Sequence, residues 1–171
     1  MRKNDQEILQ ERAQKISGLR TEKELIEETI LAVEFLLLPE TYAIDSAFVS
    51  EVLPLRNLTV IPGTPPFIIG VINVRGKIIS VVNFKNLFNL KEKGVSALNK
   101  IIIVKHQQME FGILTDEITG TKQLDMNSLS SPPATLHGAG VDYIQGITPQ
   151  GIIVLNAMYI LTGNAIIVNQ K

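Results

Sequence analysis

The stretch that decides the fold is Phe67–Phe84, FIIGVINVRGKIISVVNF. Two apolar runs are joined by Arg75-Gly76-Lys77, and glycine supplies the positive φ that a tight reversal needs. Val and Ile crowd both flanks, as strands prefer. The pattern predicts a β-hairpin, but one without the alternation of a strand that has a wet face. Ile68, Ile69, Val71, Ile72 and Val74 occupy both faces of the first run. Ile78, Ile79, Val81 and Val82 do the same in the second. A hairpin apolar on both sides has to be covered on both sides. One cover is the chain's own interior; the other is a second sheet, a helix or another protein.

Working outward, the segments around this hairpin are also short and β-like. Val33–Leu38 and Thr41–Ile44 read as strands about a turn at Pro39-Glu40. Asp45 either caps one helical turn or opens an extended segment, and Val49–Leu53 is extended. Val60–Pro66 is a stiff turn, because proline fixes φ and cannot donate to a ladder. Asn89–Asn99, polar and containing Gly94, is the best boundary. Lys100–Lys105 is a buried strand, with Phe111–Leu114 its antiparallel neighbour across His106–Met109. Asp116–Lys122 leads into a loop, Asn127–Gly140, rich in Ser, Pro and Gly. Tyr143–Thr148 and Gly151–Leu155 form a last hairpin through Pro149-Gln150. Asn156–Thr162 is a short helix with Asn156 as cap and Gly163 at its end.

Residues 4–31 differ in texture, being charged and helix-like. Ile8, Leu9, Ile16 and Leu19 form a partial stripe, which Ser17-Gly18 should end. Thr21-Glu22-Lys23-Glu24 fits a capping box that opens a second helix running to about Ile30. Leu25, Ile26, Thr29 and Ile30 share one side of it. This leader, residues 1–31, either packs its stripe on the core or docks a partner.

Strands of four to seven residues at short spacing indicate an all-β barrel or sandwich. There is also an internal echo. Tyr42-Ala43-Ile44 resembles Phe111-Gly112-Ile113, and each is followed by an acidic-aliphatic pair, Glu51-Val52 and Glu117-Ile118. That suggests two similar small barrels in tandem.

At 171 residues and 45% hydrophobic, the chain is one ordinary domain or two small ones. A net charge of −1 provides no field for nucleic acid. The chain has no cysteine, which excludes disulfides and thiolate chemistry and fits a reducing compartment. Its apolar runs fall far short of the ~20 residues of a transmembrane helix. Met1-Arg2-Lys3 is followed by polar residues and not by a signal-peptide core. A cytoplasmic protein without direct membrane insertion is the expectation.

Chemistry is sparse. His106 lies in a predicted hairpin turn and His137 in the Pro-Gly loop, so neither is set on a helix face beside a second ligand, and no metal site is read. Ser128-Leu129-Ser130-Ser131 lies near His137 but no nucleophile elbow accompanies it. Gly70 and Gly76-Lys77 are spaced wrongly for a phosphate loop, and Ile78 follows the lysine. Gly138-Ala139-Gly140 has Tyr143 in the third glycine's place. Asp116-Glu117 points its carboxylates to opposite faces. No catalytic residue, cofactor or metal is expected, and the residues favour a binding module. Arg75, at the tip of the most apolar hairpin, is either ordinary turn polarity or a guanidinium held for bidentate contact. Glu51, inside an apolar run, is either the wet face of an edge strand or part of a working surface.

Three blocks carry a resemblance: ETYAIDSAFVSEVLPL, VIPGTPPFIIGVINVRGKIISVVNFKNLFNL and NKIIIVKHQQMEFGILTDEITG. From about Val33 to Gly163 the chain resembles the chemotaxis coupling proteins, the CheW-like domain. The resemblance implies two five-stranded SH3-like barrels, a first over about 32–95 and a second over about 99–155 within a domain of 32–165. A C-terminal helix over about 156–163 and a tail over 164–171 complete the layout. It implies a non-enzymatic adaptor that bridges membrane chemoreceptors to the regulatory domain of the histidine kinase CheA. A groove between the barrels would take the helical receptor tip. By position, the family's coupling glutamate falls on Glu51, beside Val49. Its Asn-x-Arg-Gly falls on Asn73, Arg75 and Gly76, with Gly70 upstream. The groove-lining strand falls on Ile101, Ile102 and Val104. Asn83 stands where the family usually has aspartate, which leaves an amide oxygen to cap the next turn without the charge. Two other readings stay open: an adaptor of a non-chemotaxis kinase pathway, and a small-ligand-binding barrel.

Overall fold

The computed structural model describes residues 6–10, 12–13, 28–91, 94–134, 140–163 and 166. Among the described residues, ten strands form two five-stranded sheets. In chain order they are β1 (Thr29–Leu37), β2 (Glu40–Asp45), β3 (Val49–Pro54), β4 (Ile68–Val74) and β5 (Lys77–Val82), then β6 (Lys100–His106), β7 (Met109–Thr115), β8 (Glu117–Asp125), β9 (Ile144–Ile147) and β10 (Ile153–Leu155). Two short helices, α1 (Phe84–Leu87) and α2 (Ala157–Thr162), follow β5 and β10. Their caps are the side chains of Asn83, which accepts from the Lys85 N–H, and Asn156, which accepts from the Tyr159 N–H.

The strand orders are β8-β1-β2-β10-β9 and β3-β6-β7-β5-β4. The chain therefore repeats in tandem, β1–β5 then β6–β10, but its sheets do not follow the repeat. Each sheet takes the first two strands of one repeat and the last three of the other. This corrects the expectation of one barrel over 32–95 and another over 99–155. The crossings lie at 46–48, where a 3-10 turn capped by Asp45 separates β2 from β3, and at Asp116, between β7 and β8. The Tyr-Ala-Ile and Phe-Gly-Ile echo marks equivalent strands. β2 pairs parallel with β10 through Tyr42 and Ala43, and β7 pairs parallel with β5 through Gly112 and Ile113.

Two further expectations are corrected. Thr29 and Ile30 begin β1 and do not end a helix. Asp116–Lys122, expected to lead into a loop, belongs except for Asp116 to the nine-residue strand Glu117–Asp125, whose residues are mostly exposed, so its polar composition concealed it. Residues 6–10 and 12–13 are helical, and Ile8 and Leu9 lie exposed with relative accessibilities of 37% and 63%. The Ser17-Gly18 stop, the Thr21 capping box and His137 lie outside the described residues.

Burial explains the two-faced strands. On β6, Ile101 and Ile103 point into the interior of their own barrel with Ile72, Ile79, Val81 and Leu114. Ile102 and Val104, on the other face, join Phe35, Leu37, Tyr42 and Ile44 of the opposite sheet. A smaller cluster of Ala32, Ala43, Leu124, Ile152 and Val154 fills the second barrel. The largest core thus lies between the sheets. Six aromatic rings cross it in sequence, Phe35, Tyr42, Phe88, Phe84, Tyr143 and Tyr159, with centroid spacings from 5.4 to 6.3 Å. One edge is pinned by an ion pair. The buried Lys85 ammonium meets both oxygens of Asp116, at 2.6 and 2.8 Å, and Asp116 Oδ2 also accepts from the Leu38 N–H at 2.8 Å. A desolvated pair with added hydrogen bonds of this kind holds its geometry closely.

Two outcomes follow from the shared core. Ile101→Ala and Ile102→Ala, which empty opposite faces of β6, should each cost about 2–5 kcal/mol. Both should shift one common urea transition, read by far-ultraviolet circular dichroism. Two separable transitions would contradict the interlocking. The Tyr42 hydroxyl is pushed up to about 12 by burial and, secondarily, by Glu40. Burial, with Tyr159 and Asp142, also raises Tyr143. A raised folded-state pKa keeps its full stabilisation below the unfolded value near 10 and loses it as pH climbs through the folded value. Thermal melts should therefore fall steeply between about pH 10 and pH 12, and Tyr42→Phe should flatten part of that fall.

Candidate functional site

The reversal between β4 and β5 is a two-residue turn in which Val74 pairs with Lys77. Both central residues have positive φ, +52° at Arg75 and +83° at Gly76. Hairpins favour this type I′ geometry, normally with Asn, Asp or Gly at the first position. Arginine there carries a steric cost on the order of 1 kcal/mol. Ordinary turn preference therefore does not explain Arg75. What it gains is a fork contact: Nη1 and Nη2 each donate to Glu51, to Oε1 and Oε2, both at 2.9 Å. Asn73 supports the turn from behind, its Oδ1 accepting from the Gly76 N–H at 2.8 Å.

Glu51 reaches this position through a bulge. Val49 pairs with Val104 but Glu51 pairs with Ile103, so Ser50 is the extra residue. Bulges rotate the following side chains and are common next to sites. β3 and β4 are the two outer strands of their sheet, so the Arg75–Glu51 fork joins the sheet's edges. Lower on the same seam, Thr59 and Val71 exchange backbone hydrogen bonds of 2.9 and 2.8 Å. Gly70 makes that approach possible. It has φ +152°, and a Cβ there would lie 2.4 Å from the Thr59 carbonyl oxygen.

The fork is a surface feature. The Arg75 side chain is 79% exposed and that of Glu51 22%. Beside it on β5, Ile78 is 63% exposed although its neighbours Ile79 and Val81 are interior. Lys77 pairs with Glu110 across the adjacent strand. A groove of ≈ 490 Å³ opens on this outer face, walled by Ile68, Val71, Ile78, Phe111 and Ile166 among others.

The nine residues singled out from sequence thus divide into three groups. Arg75 and Glu51 meet directly, with Asn73 and Gly76 shaping the turn and Gly70 the seam below. Val49 is half-buried and packs on the shared core. Ile101, Ile102 and Val104 have no accessible surface, so their expected place on an open groove is corrected. The opposite sheet, together with their own barrel interior, covers both faces of β6. Ile78 was missed as a site residue, though it belonged to the hairpin's surplus of apolar positions. Among the described residues, no three His, Asp or Glu side chains gather as a metal site. No helix among them is long and apolar enough to cross a membrane.

Residues 32–165 match the family model described as the CheW-like domain. The chain belongs to the CheW-like domain family. It is 31% identical over 129 residues to "Chemotaxis protein CheW" of Treponema pallidum (strain Nichols), an alignment covering 73% of this chain and 76% of that protein. With the protein of the same name from Helicobacter pylori (strain ATCC 700392 / 26695) it shares 26% identity over 123 residues, 72% of this chain and 74% of the other. Among solved structures it is similar to the scaffolding protein TtCheW from Thermoanaerobacter tengcongensis, with a TM-score of 0.69 and 33% identity. That match covers 83% of this chain and 90% of the other. The two five-stranded SH3-like barrels of the CheW-like fold are present here, with their strands exchanged between the repeats.

The fork and the seam glycine should separate in mutants. Arg75→Asn replaces a costly turn residue by a favoured one and removes an exposed ion pair worth roughly 0–1 kcal/mol, so its melting temperature should stay within a few degrees of the parent. Gly70→Ala should lower stability by more than about 1 kcal/mol, because the backbone of Thr59 cannot yield as a side chain can. Differential scanning calorimetry of the two variants checks both.

Proposed function

We propose that this chain is a non-enzymatic scaffold that couples chemoreceptors to the histidine kinase CheA in the cytoplasm. Family membership supports the scaffold role. The observation that carries the coupling is the outer face of the β4–β5 hairpin. One side of that hairpin fills its own barrel, while the other keeps Ile78 open beside a rigidly presented guanidinium. An apolar contact next to an exposed guanidinium that Glu51 holds in place is the composition of a protein-binding hot spot, in which aliphatic burial supplies affinity and the polar group sets register. On this reading the regulatory domain of CheA meets the hairpin tip.

The receptor tip is the second partner proposed. Ile101, Ile102 and Val104 are interior, so the receptor helix has to be accommodated by partly exposed neighbours such as Val49 and Phe48. Phe48 and His106 make an edge-to-face contact at 5.7 Å beside β3.

Sedimentation of the full chain with the kinase regulatory domain tests the proposal. A complex is expected at tens of micromolar or tighter, which corresponds to about −6 to −8 kcal/mol. Arg75→Glu and Ile78→Glu should each weaken it at least about tenfold while melting temperature is kept. Absence of any complex at that concentration, with the protein folded, would sink the coupling reading.

A further inference from the structure

The seam between β3 and β4 is closed differently from the rest of its barrel. Ladders join β3 to β6, β6 to β7, β7 to β5 and β5 to β4, but none joins β3 to β4. The backbone crosses the seam only after β3 has ended, where Thr59 and Val71 exchange their two hydrogen bonds. From Val71 up to Arg75 the strand runs four residues, roughly 13 Å. Over that length the seam is filled by side chains. Leu55 and Ile72 are buried there, and Leu53 and Val74 partly buried, all against the barrel's interior. Among the described residues, the polar tie across this upper part is the Arg75–Glu51 fork.

Two features make that tie reversible. The pair lies at the surface, with Arg75 79% and Glu51 22% exposed, where water and salt weaken an ion pair. Arg75 also sits at a φ of +52°, a conformation that disfavours any residue with a side chain. Breaking the fork therefore releases a strained backbone as well as a charge pair. The Thr59–Val71 bridge below is backbone to backbone and has neither weakness.

We propose that the Arg75–Glu51 fork is a latch on this seam. When it is broken, the upper part of the β4–β5 hairpin moves off β3 while both barrels keep their cores. The next tie down, the Thr59–Val71 bridge, then carries the load and opens more often. The latch decides whether Arg75 and Ile78 are held as one rigid surface or carried on a loose hairpin. That consequence for partner binding rests on the coupling reading above, whereas the latch itself does not.

Amide hydrogen exchange of the full chain, resolved by residue with NMR, tests the latch. Glu51→Gln keeps the shape of the side chain and leaves the turn untouched. It should speed exchange at the Thr59 and Val71 amides by about three- to fivefold, the range open to an exposed bidentate pair. The Ile102 and Ile113 amides in the core should keep their parent rates. Raising sodium chloride from about 0.05 to about 1 M should reproduce the effect in the parent and add nothing in Glu51→Gln. Unchanged rates at Thr59 and Val71 would overturn the latch. So would an equal acceleration at Ile102, because the fork would then contribute only to global stability. Sedimentation with the kinase regulatory domain is a separate readout. Weaker binding by Glu51→Gln, which retains Arg75 and Ile78, supports the consequence, and unchanged binding refutes it while the exchange rates decide the latch.

Discussion

Strands such as β6 are apolar on both faces, and no single sheet can satisfy them. Ile101 and Ile103 need one cover and Ile102 and Val104 another. A five-stranded barrel provides the first by curling on itself. The second comes only from another sheet packed against the barrel's outside. Two barrels placed back to back meet both demands, and the exchange of strands between repeats makes the arrangement inseparable. Neither repeat contains a whole sheet, so neither has a core to itself. The aromatic series from Phe35 to Tyr159 and the Lys85–Asp116 pair then fix how the two sheets sit.

The two repeats match in much more than the short echo that betrays them. Each closes its seam with a bridge, Thr59 to Val71 in one and Ser130 to Ile147 in the other. Each ends in a short helix capped by asparagine. They differ at the hairpin turn. Arg75-Gly76 stands in the first, whereas the turn after β9 contains Pro149-Gln150. The duplicated framework explains itself by packing. The arginine, held at a φ of +52°, does not, and it reaches across the barrel to Glu51. A residue kept where the backbone disfavours it marks a place where something other than folding sets the choice.

Much of the candidate site was legible because its geometry is local. Asn73, Arg75 and Gly76 form a turn whose type follows from its residues. Glu51 stood out as an acid in an apolar run. Ile101, Ile102 and Val104 show the opposite case. An apolar run reads the same whether it faces an open groove or a closed core. Their full burial depends on a sheet assembled from segments at both ends of the chain. β8 escaped notice for a related reason: its strand is held by pairing along β1, and its own side chains are largely solvated.

The sequence by itself determined the class of structure, the hairpin and its turn, the capping asparagines, the duplication and the demand for cover on two sides. All of these are set by residue type and by spacing within a few positions. Tertiary structure alone decided which strands share a sheet, that Arg75 and Glu51 clasp one another, and that Ile78 stays at the surface while Ile102 does not. Those outcomes depend on contacts between residues tens of positions apart. Periodicity records how many faces a strand must bury, and it carries no information on which distant segment buries them.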